Sequence, residues 1–178
     1  AYTYDALGNT QTITRLSGTP EAVTETFTYE PVYNQLKTYL DPLNKLTTYY
    51  YDAANNLREI EDPLLHKTQL TYNAEGQVET LTTPLGHQTT FGYEFRDLAT
   101  VTDPLGRTTS RYTDTLGRLL TLTDPQGRRT RYTYDALDRL THITDAFNQT
   151  TQFDYDANGN LRYLTAAQGG KTEFTYDT

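Results

Sequence analysis

Residues 113–134 read TDTLGRLLTLTDPQGRRTRYTY, and this stretch decides the fold. It carries two turn signals, Leu-Gly-Arg near its start and Asp-Pro-Gln-Gly at its middle. Proline fixes φ, the aspartate side chain can bond the backbone ahead of it, and glycine accepts a positive φ. The segments between the turns are rich in threonine, tyrosine and leucine, and the first two favour strands. The stretch therefore predicts two short antiparallel strands in each unit, joined by tight turns.

The same pattern recurs along the whole chain. A tyrosine followed by an acidic residue or asparagine stands at Tyr4, Tyr29, Tyr51, Tyr72, Tyr93, Tyr134, Tyr155 and Tyr176, and Thr113 before Asp114 holds the missing position. A second turn signal marks the middle of the units at Asp41-Pro42, Asp62-Pro63, Thr83-Pro84, Asp103-Pro104 and Asp124-Pro125. We therefore predict a single array over residues 1–178, with about 8 units of ~21 residues and no separate catalytic domain. The units start near residues 4, 29, 51, 72, 93, 113, 134 and 155, and we expect the chain to be a segment of a longer protein.

The composition fits an all-β chain. Only 35% of the 178 residues are hydrophobic and the mean hydropathy is -0.73, which is lean for one compact core. Disorder does not follow, because the chain has 16 tyrosines and 36 threonines, and disordered segments lack aromatic and β-branched residues. Cysteine is absent, which excludes disulfides, thiolate nucleophiles and cysteine-based metal sites.

Net charge excludes two classes of partner. The formal charge is -8 and the pI is near 4.8, whereas nucleic acids and anionic membranes need clustered lysine and arginine. No apolar run approaches the roughly 18 residues of a membrane span. We therefore expect no nucleic-acid partner and no membrane insertion by this segment.

Apolar residues form two columns. In the second strand of each unit they are two residues apart, as in Leu70 and Tyr72, which places them on one face. In the first strand they are three apart, as in Leu119 and Leu122, which breaks strand alternation. Either the first residue belongs to the turn and packs at the rim of the sheet, or a bulge lies between the two. We favour the rim.

Strand number limits the architecture. Nearly eight units give about 16 strands, and a closed barrel of that size is too wide for its own side chains to fill, the limit being about 8 strands. We therefore predict antiparallel hairpin repeats that form a curved, spiralling sheet or part of a hollow β-shell. Its first and last strands would have unpaired edges, which predicts self-association.

The candidate site residues are structural repeat positions rather than reactive groups. They are Tyr72, Tyr93, Tyr134, Tyr155, Tyr176, Asp62, Pro63, Asp103, Pro104, Gly106, Gly117, Asp124, Pro125, Gly127 and Gly159. The tyrosines could form an aromatic strip that stacks on sugars. Regular recurrence favours packing instead, with each ring filling the step between hairpins and each hydroxyl bonding an adjacent turn.

We expect no catalytic residue, metal or cofactor. The aspartates recur in the turns of most units, whereas a catalytic pair is placed once. The run from Asp154 to Asn160 resembles the start of a calcium loop, but position twelve is Thr165 where a glutamate is needed. His66 and His87 share one repeat register and should lie about 10 Å apart, too far to share a zinc ion. The arginines from Arg107 to Arg139 stand among aspartates, which predicts a salt-bridged sheet face.

Units that carry Tyr-Asp, Gly-Arg-Leu and Asp-Pro-x-Gly resemble the YD repeat of the Rhs family, best over residues 51–177. That family includes Rhs polymorphic toxin shells, shell components of insecticidal toxin complexes and the teneurins of animals. The resemblance implies a β-shell segment that encapsulates a toxin or other cargo domain in a protein secreted by, or on the surface of, a bacterium. Its partners would be the neighbouring repeats of the parent chain and the enclosed cargo. The alternative is a cell-surface carbohydrate-binding or adhesion module, which the animal relatives suggest.

Overall fold

The structure is a computed structural model that describes residues 1–177 of the chain. These residues form seventeen β-strands and no helix, so the prediction of an all-β fold is confirmed. The chain divides into two compact units, Ala1–Thr89 and a second that begins at Thr90. Within residues 1–177, no helix is long and apolar enough to cross a membrane.

The first unit contains β1 (Tyr2–Tyr4), β2 (Thr10–Arg15), β3 (Val23–Tyr29), β4 (Leu36–Leu40), β5 (Leu46–Tyr51), β6 (Leu57–Glu61), β7 (Lys67–Tyr72) and β8 (Val78–Thr82). Each of these strands pairs antiparallel with the strand that follows it, from β1–β2 to β7–β8. The unit is therefore a meander of hairpins.

The second unit contains β9 (Gln88–Glu94, which begins two residues before the division), β10 (Asp97–Thr102), β11 (Thr108–Thr113), β12 (Leu119–Thr123), β13 (Arg129–Tyr134), β14 (Leu140–Thr144), β15 (Thr150–Tyr155), β16 (Leu161–Thr165) and β17 (Lys171–Glu173). Successive strands again pair antiparallel, from β9–β10 to β16–β17. Antiparallel hairpin repeats are thus confirmed in both units.

Each unit is a single layer of strands. Its strands contact only their neighbours in sequence, and among the described residues only Ala99, 9% exposed, is buried. Burial alternates along β7, where Thr68, Leu70 and Tyr72 are half-buried and the residues between them are exposed. We call the face that carries these tyrosines and leucines the packed face. On the opposite face threonine hydroxyls pair across strands, as Thr71 and Thr80 do at 2.7 Å.

A β-bulge explains the three-residue spacing in the first strand of each hairpin. Tyr134 lies opposite Leu140 but Thr133 lies opposite His142, so Thr141 is an extra residue. The extra residue returns Leu140 and the apolar residue three positions later to the same face. The same shift occurs in β4, β6, β8, β10, β12 and β16. Our preference for a rim position was wrong, because these leucines belong to the ladder.

Candidate functional site

The turns share one hydrogen-bonded geometry, shown here for Asp124 to Arg128. Asp124 N–H donates to the Arg128 carbonyl at 3.0 Å, and Gly127 N–H donates to the Asp124 carbonyl at 2.9 Å. Asp124 Oδ1 accepts from the N–H groups of Gln126 and Arg128, both at 2.9 Å. Gly127 has φ 79. This is a type I turn followed by a left-handed residue that forms a bulge, the usual three-residue hairpin loop.

The structure places the predicted turn residues in equivalent positions. Asp62, Asp103 and Asp124 stand first in their turns and Pro63, Pro104 and Pro125 second. Gly106, Gly117, Gly127 and Gly159 stand fourth, with φ between 76 and 89. Where the fourth residue is not glycine, Asn44, Asn55, Leu65, Asp138 and Asn148 adopt the left-handed conformation instead.

The tyrosine column consists of Tyr51, Tyr72, Tyr93, Tyr134, Tyr155 and Tyr176, each at or near the end of the second strand of a hairpin. Five of their hydroxyls donate to the backbone carbonyl of the residue fifteen positions earlier. These bonds are Tyr51 to Leu36 (2.6 Å), Tyr72 to Leu57 (2.7 Å), Tyr134 to Leu119 (3.0 Å), Tyr155 to Leu140 (2.8 Å) and Tyr176 to Leu161 (2.9 Å). Burial raises the pKa of Tyr51 and of Tyr72. Each ring therefore spans from its own strand to the start of the preceding one.

The remaining members of the column keep the same register. Tyr93 is half-buried and lies opposite Leu98. Tyr176 follows β17 and is 53% exposed, because no described strand lies beyond it. Half-buried rings with bonded hydroxyls are packing residues, so these contacts do not favour the carbohydrate-binding alternative.

Arginines at the ends of two turns stack on the tyrosine column. The Arg118 guanidinium lies 5.1 Å from the Tyr134 ring centroid, and that of Arg139 lies 4.6 Å from the Tyr155 ring. Each also donates from Nε to the aspartate that opens its own turn, at 2.7 Å. Our expectation of a salt-bridged sheet face was wrong for these pairs, because each pair lies within a turn at the ends of two strands.

Sequence reasoning missed this arginine layer. Arg118 and Tyr134 are sixteen residues apart, as are Arg139 and Tyr155, and this recurring spacing is the signal that could have found it. The spacing becomes interpretable once the register of β12 and β13 is known, because Thr121 lies opposite Arg131 and the same register places Arg118 opposite Tyr134.

The histidines and the calcium-like run serve the turns and strands. His66 ends a turn with Nδ1 3.0 Å from Asp62 Oδ2, whereas His142 lies in β14 near the Thr133 hydroxyl at 3.1 Å. Asp156 Oδ1 accepts the N–H groups of Asn158 and Asn160, the same pattern as Asp124 in its turn. Among the described residues, no three histidine or acidic side chains form a cluster that could hold a metal ion.

The fold of this chain is similar to that of several solved structures. The chain resembles the structure titled TcdB2-TccC3-Cdc42 with a TM-score of 0.75 and 16% identity, covering 96% of this chain and 11% of that one. It resembles the Photorhabdus luminescens Tc holotoxin pore with a TM-score of 0.69 and 17% identity, covering 87% of this chain and 10% of that one. The chain thus spans about a tenth of the length of these structures. At these identities the likeness shows the fold alone.

Sequence comparison gives the family. No curated protein matches the chain. The RHS Repeat family profile matches four overlapping segments, residues 72–108, 96–128, 114–150 and 134–170. Together they span residues 72–170, more than half of the 178 residues. Since the profile matches more than half of the residues, the chain belongs to the RHS repeat family.

Proposed function

We propose that this chain is a non-enzymatic segment of a β-shell that encloses a toxin or another cargo domain in a secreted bacterial protein. One observation carries the proposal: the same tyrosine-to-carbonyl contact recurs in hairpin after hairpin. A contact between two paired strands that recurs from hairpin to hairpin extends a wall, whereas a catalytic site is built once. The repeat positions given above are therefore structural residues.

Further support comes from the single layer and from the relatives. A sheet whose apolar face is only half-buried needs less core than a globule, which suits the wall of an enclosed space. One of the structures that the chain resembles is a Tc holotoxin pore. The partners would be the neighbouring repeats of the parent protein and its cargo, and the location would be outside the bacterial cell or on its surface.

Two neighbouring residues of β13 provide a test. Thr130 is half-buried and Arg131 is exposed, so their side chains point to opposite faces of the sheet. The chain has no cysteine, so Thr130→Cys and Arg131→Cys each add one thiol to this segment of the full-length parent. Each variant is treated, as intact protein, with a small maleimide and with a large polyethylene-glycol maleimide.

A hollow shell predicts that both thiols react with the small reagent and only the outward one with the large reagent. If one thiol resists both reagents, the hairpins form a filled solenoid. If both thiols react with both reagents, the sheet is open on either side, as an adhesion module would be. Either of these results contradicts the proposal.

A further inference from the structure

The tyrosine column is interrupted at Thr113. This residue ends β11 and lies fifteen positions after Leu98, the spacing that separates each column tyrosine from the carbonyl it bonds. The register is unchanged, because Thr100 lies opposite Ser110 just as Thr121 lies opposite Arg131 one hairpin later. The backbone therefore keeps a place for a tyrosine that the sequence does not supply.

Two substitutions open a cavity at this place on the packed face. The short side chain of Thr113 donates instead to Asp97 Oδ2 at 3.1 Å. Arg111 stands two residues earlier, where the next two units carry Tyr132 and Phe153. The resulting cavity has a volume of about 500 Å³ and is lined by residues that include Leu98, Ala99, Arg111, Thr113 and Asp114. That volume lies within the range of small-ligand pockets, about 300–1,000 Å³.

The neighbouring hairpins show which group would fill this space. In them a phenol ring lies under an arginine and donates its hydroxyl to the carbonyl of the first residue of the preceding first strand, as Tyr134 does with Arg118 and Leu119. At the interruption Leu98 holds the acceptor position, fifteen residues before Thr113, and Leu98, Ala99 and Arg111 line the cavity. Asp97 holds the arginine position of the next two hairpins, so Arg111 is the guanidinium available to the ring. Arginine faces attract aromatic rings, and a buried phenol needs an acceptor for its hydroxyl.

We propose that this cavity binds a para-substituted phenol, either a tyrosyl side chain supplied by another segment or a free phenolic molecule. The hydroxyl donates to the Leu98 carbonyl and the ring lies against Leu98 and Ala99. Glu94, Asp97 and Asp114 also line the cavity, and Arg118 already pairs with Asp114. Two further carboxylates face one arginine, so a neutral or cationic substituent suits the site better than an anionic one. This inference concerns one interruption of the repeat and stands apart from the shell proposal.

The test is a titration of the isotope-labelled chain with p-cresol, followed by the backbone amide signals in two-dimensional NMR. We expect saturable shifts centred on Leu98, Ala99 and Thr113, and binding several-fold weaker for toluene, which lacks the hydroxyl. N-acetyltyrosinamide and tyramine separate the two sources: binding of the amide indicates a tyrosyl residue of a polypeptide, and binding of the phenols without the amide indicates a free molecule.

Two variants sharpen the result. Thr113→Tyr restores the column and should abolish p-cresol binding, while Tyr134→Thr should create a second site next to Leu119. The absence of saturable shifts at the three amides in the native chain overturns the proposal, as does p-cresol binding to Thr113→Tyr with native affinity. If Thr113→Tyr disturbs the fold, the native titration with its toluene control still decides.

Discussion

Tyr134 bridges the paired strands β13 and β12 with one ring and one hydroxyl. The hydroxyl bond to the Leu119 carbonyl, at 3.0 Å, is made at a half-buried position where water competes only in part. A bond of this kind contributes about 1 kcal/mol to stability. Each bond thus contributes little to stability, but the same bond recurs along the chain.

We predict that Tyr134→Phe lowers the free energy of unfolding by about 1 kcal/mol, since it removes the donor and keeps the ring. Tyr132→Phe is the matched control on the same face of the same strand, and among the described residues its hydroxyl shows no hydrogen bond. Urea unfolding of both variants measures the difference. Equal losses of unfolding free energy in the two variants would show that the hydroxyl bond of Tyr134 does not contribute to stability.

Leu65 is poorly suited to the left-handed conformation that its turn requires. It occupies the fourth turn position with φ 65, where most other turns have glycine, asparagine or aspartate, and its side chain is 73% exposed. A left-handed conformation costs a residue with a Cβ roughly 1–2 kcal/mol. Packing of the exposed Leu65 side chain therefore does not offset the strain of its backbone.

Replacing this leucine should stabilise the protein. We predict that Leu65→Gly raises the free energy of unfolding by roughly 1 kcal/mol, because glycine adopts this φ without strain. Leu64→Gly, at an equally exposed neighbouring position of the same turn, should give no gain. Thermal unfolding compares the two, and a higher melting temperature for Leu64→Gly would contradict the account.

At the scale of the element, the turns depend on ionised aspartates. The Arg107 side chain, followed by its backbone N–H, lowers the pKa of Asp103. Backbone N–H donors, with that of the fifth turn residue foremost, lower the pKa of Asp62, Asp135 and Asp156. A lowered pKa means that the folded state favours the carboxylate.

This linkage fixes the direction of the pH dependence. The stabilisation is complete above the unfolded aspartate pKa of about 3.9 and is lost as the pH falls through the lower folded values. We therefore expect the melting temperature to be nearly constant from about pH 7 to pH 5 and to fall steeply below about pH 4. Circular dichroism melts across this range measure it, with Asp103→Asn as the control that should fall less. A melting temperature that rises on acidification would contradict the role of the turns.

Much of each hairpin could be predicted from the sequence because turn chemistry is local. The turn at Asp124, Pro125 and Gly127 is indicated by the backbone and side-chain properties of these residues alone. The bulge at Thr141 could not be predicted in the same way, since a three-residue apolar spacing fits either a rim leucine or an extra residue. Choosing between them requires the partner strand, where Thr133 and Tyr134 set the register.

The candidate site was predictable in part for the same reason. Recurrence identified the tyrosine positions, but the acceptor of each hydroxyl lies on the neighbouring strand, so naming it requires the register of the two strands. The arginine layer also depends on strand register, because Arg118 meets Tyr134 only after the chain has reversed at the turn that Asp124 opens.

At the scale of the whole molecule, the terminal strand is open to pairing. Phe174 N–H donates to the Arg162 carbonyl at 2.9 Å. Alternate residues of an antiparallel strand direct their N–H groups to opposite sides, so the N–H of Glu173 points away from β16. Among the described residues, no strand covers this side of β17, and such edges promote association.

We predict that the purified chain associates as its concentration rises, and that Glu173→Pro reduces this association because it removes an outward donor without breaking a ladder bond. Glu173→Ala is the control for loss of the carboxylate alone. Multi-angle light scattering at several concentrations measures the mass. A monomer at every concentration would show that the edge is not used.

The central claim is that these hairpins form the wall of a hollow shell. A cryo-EM map of the full-length parent protein tests it most directly. We predict that residues 1–177 lie in a one-layer β wall with the cargo domain on one side and solvent on the other. A map in which the hairpins stack into a filled solenoid, with no enclosed space, would contradict the account.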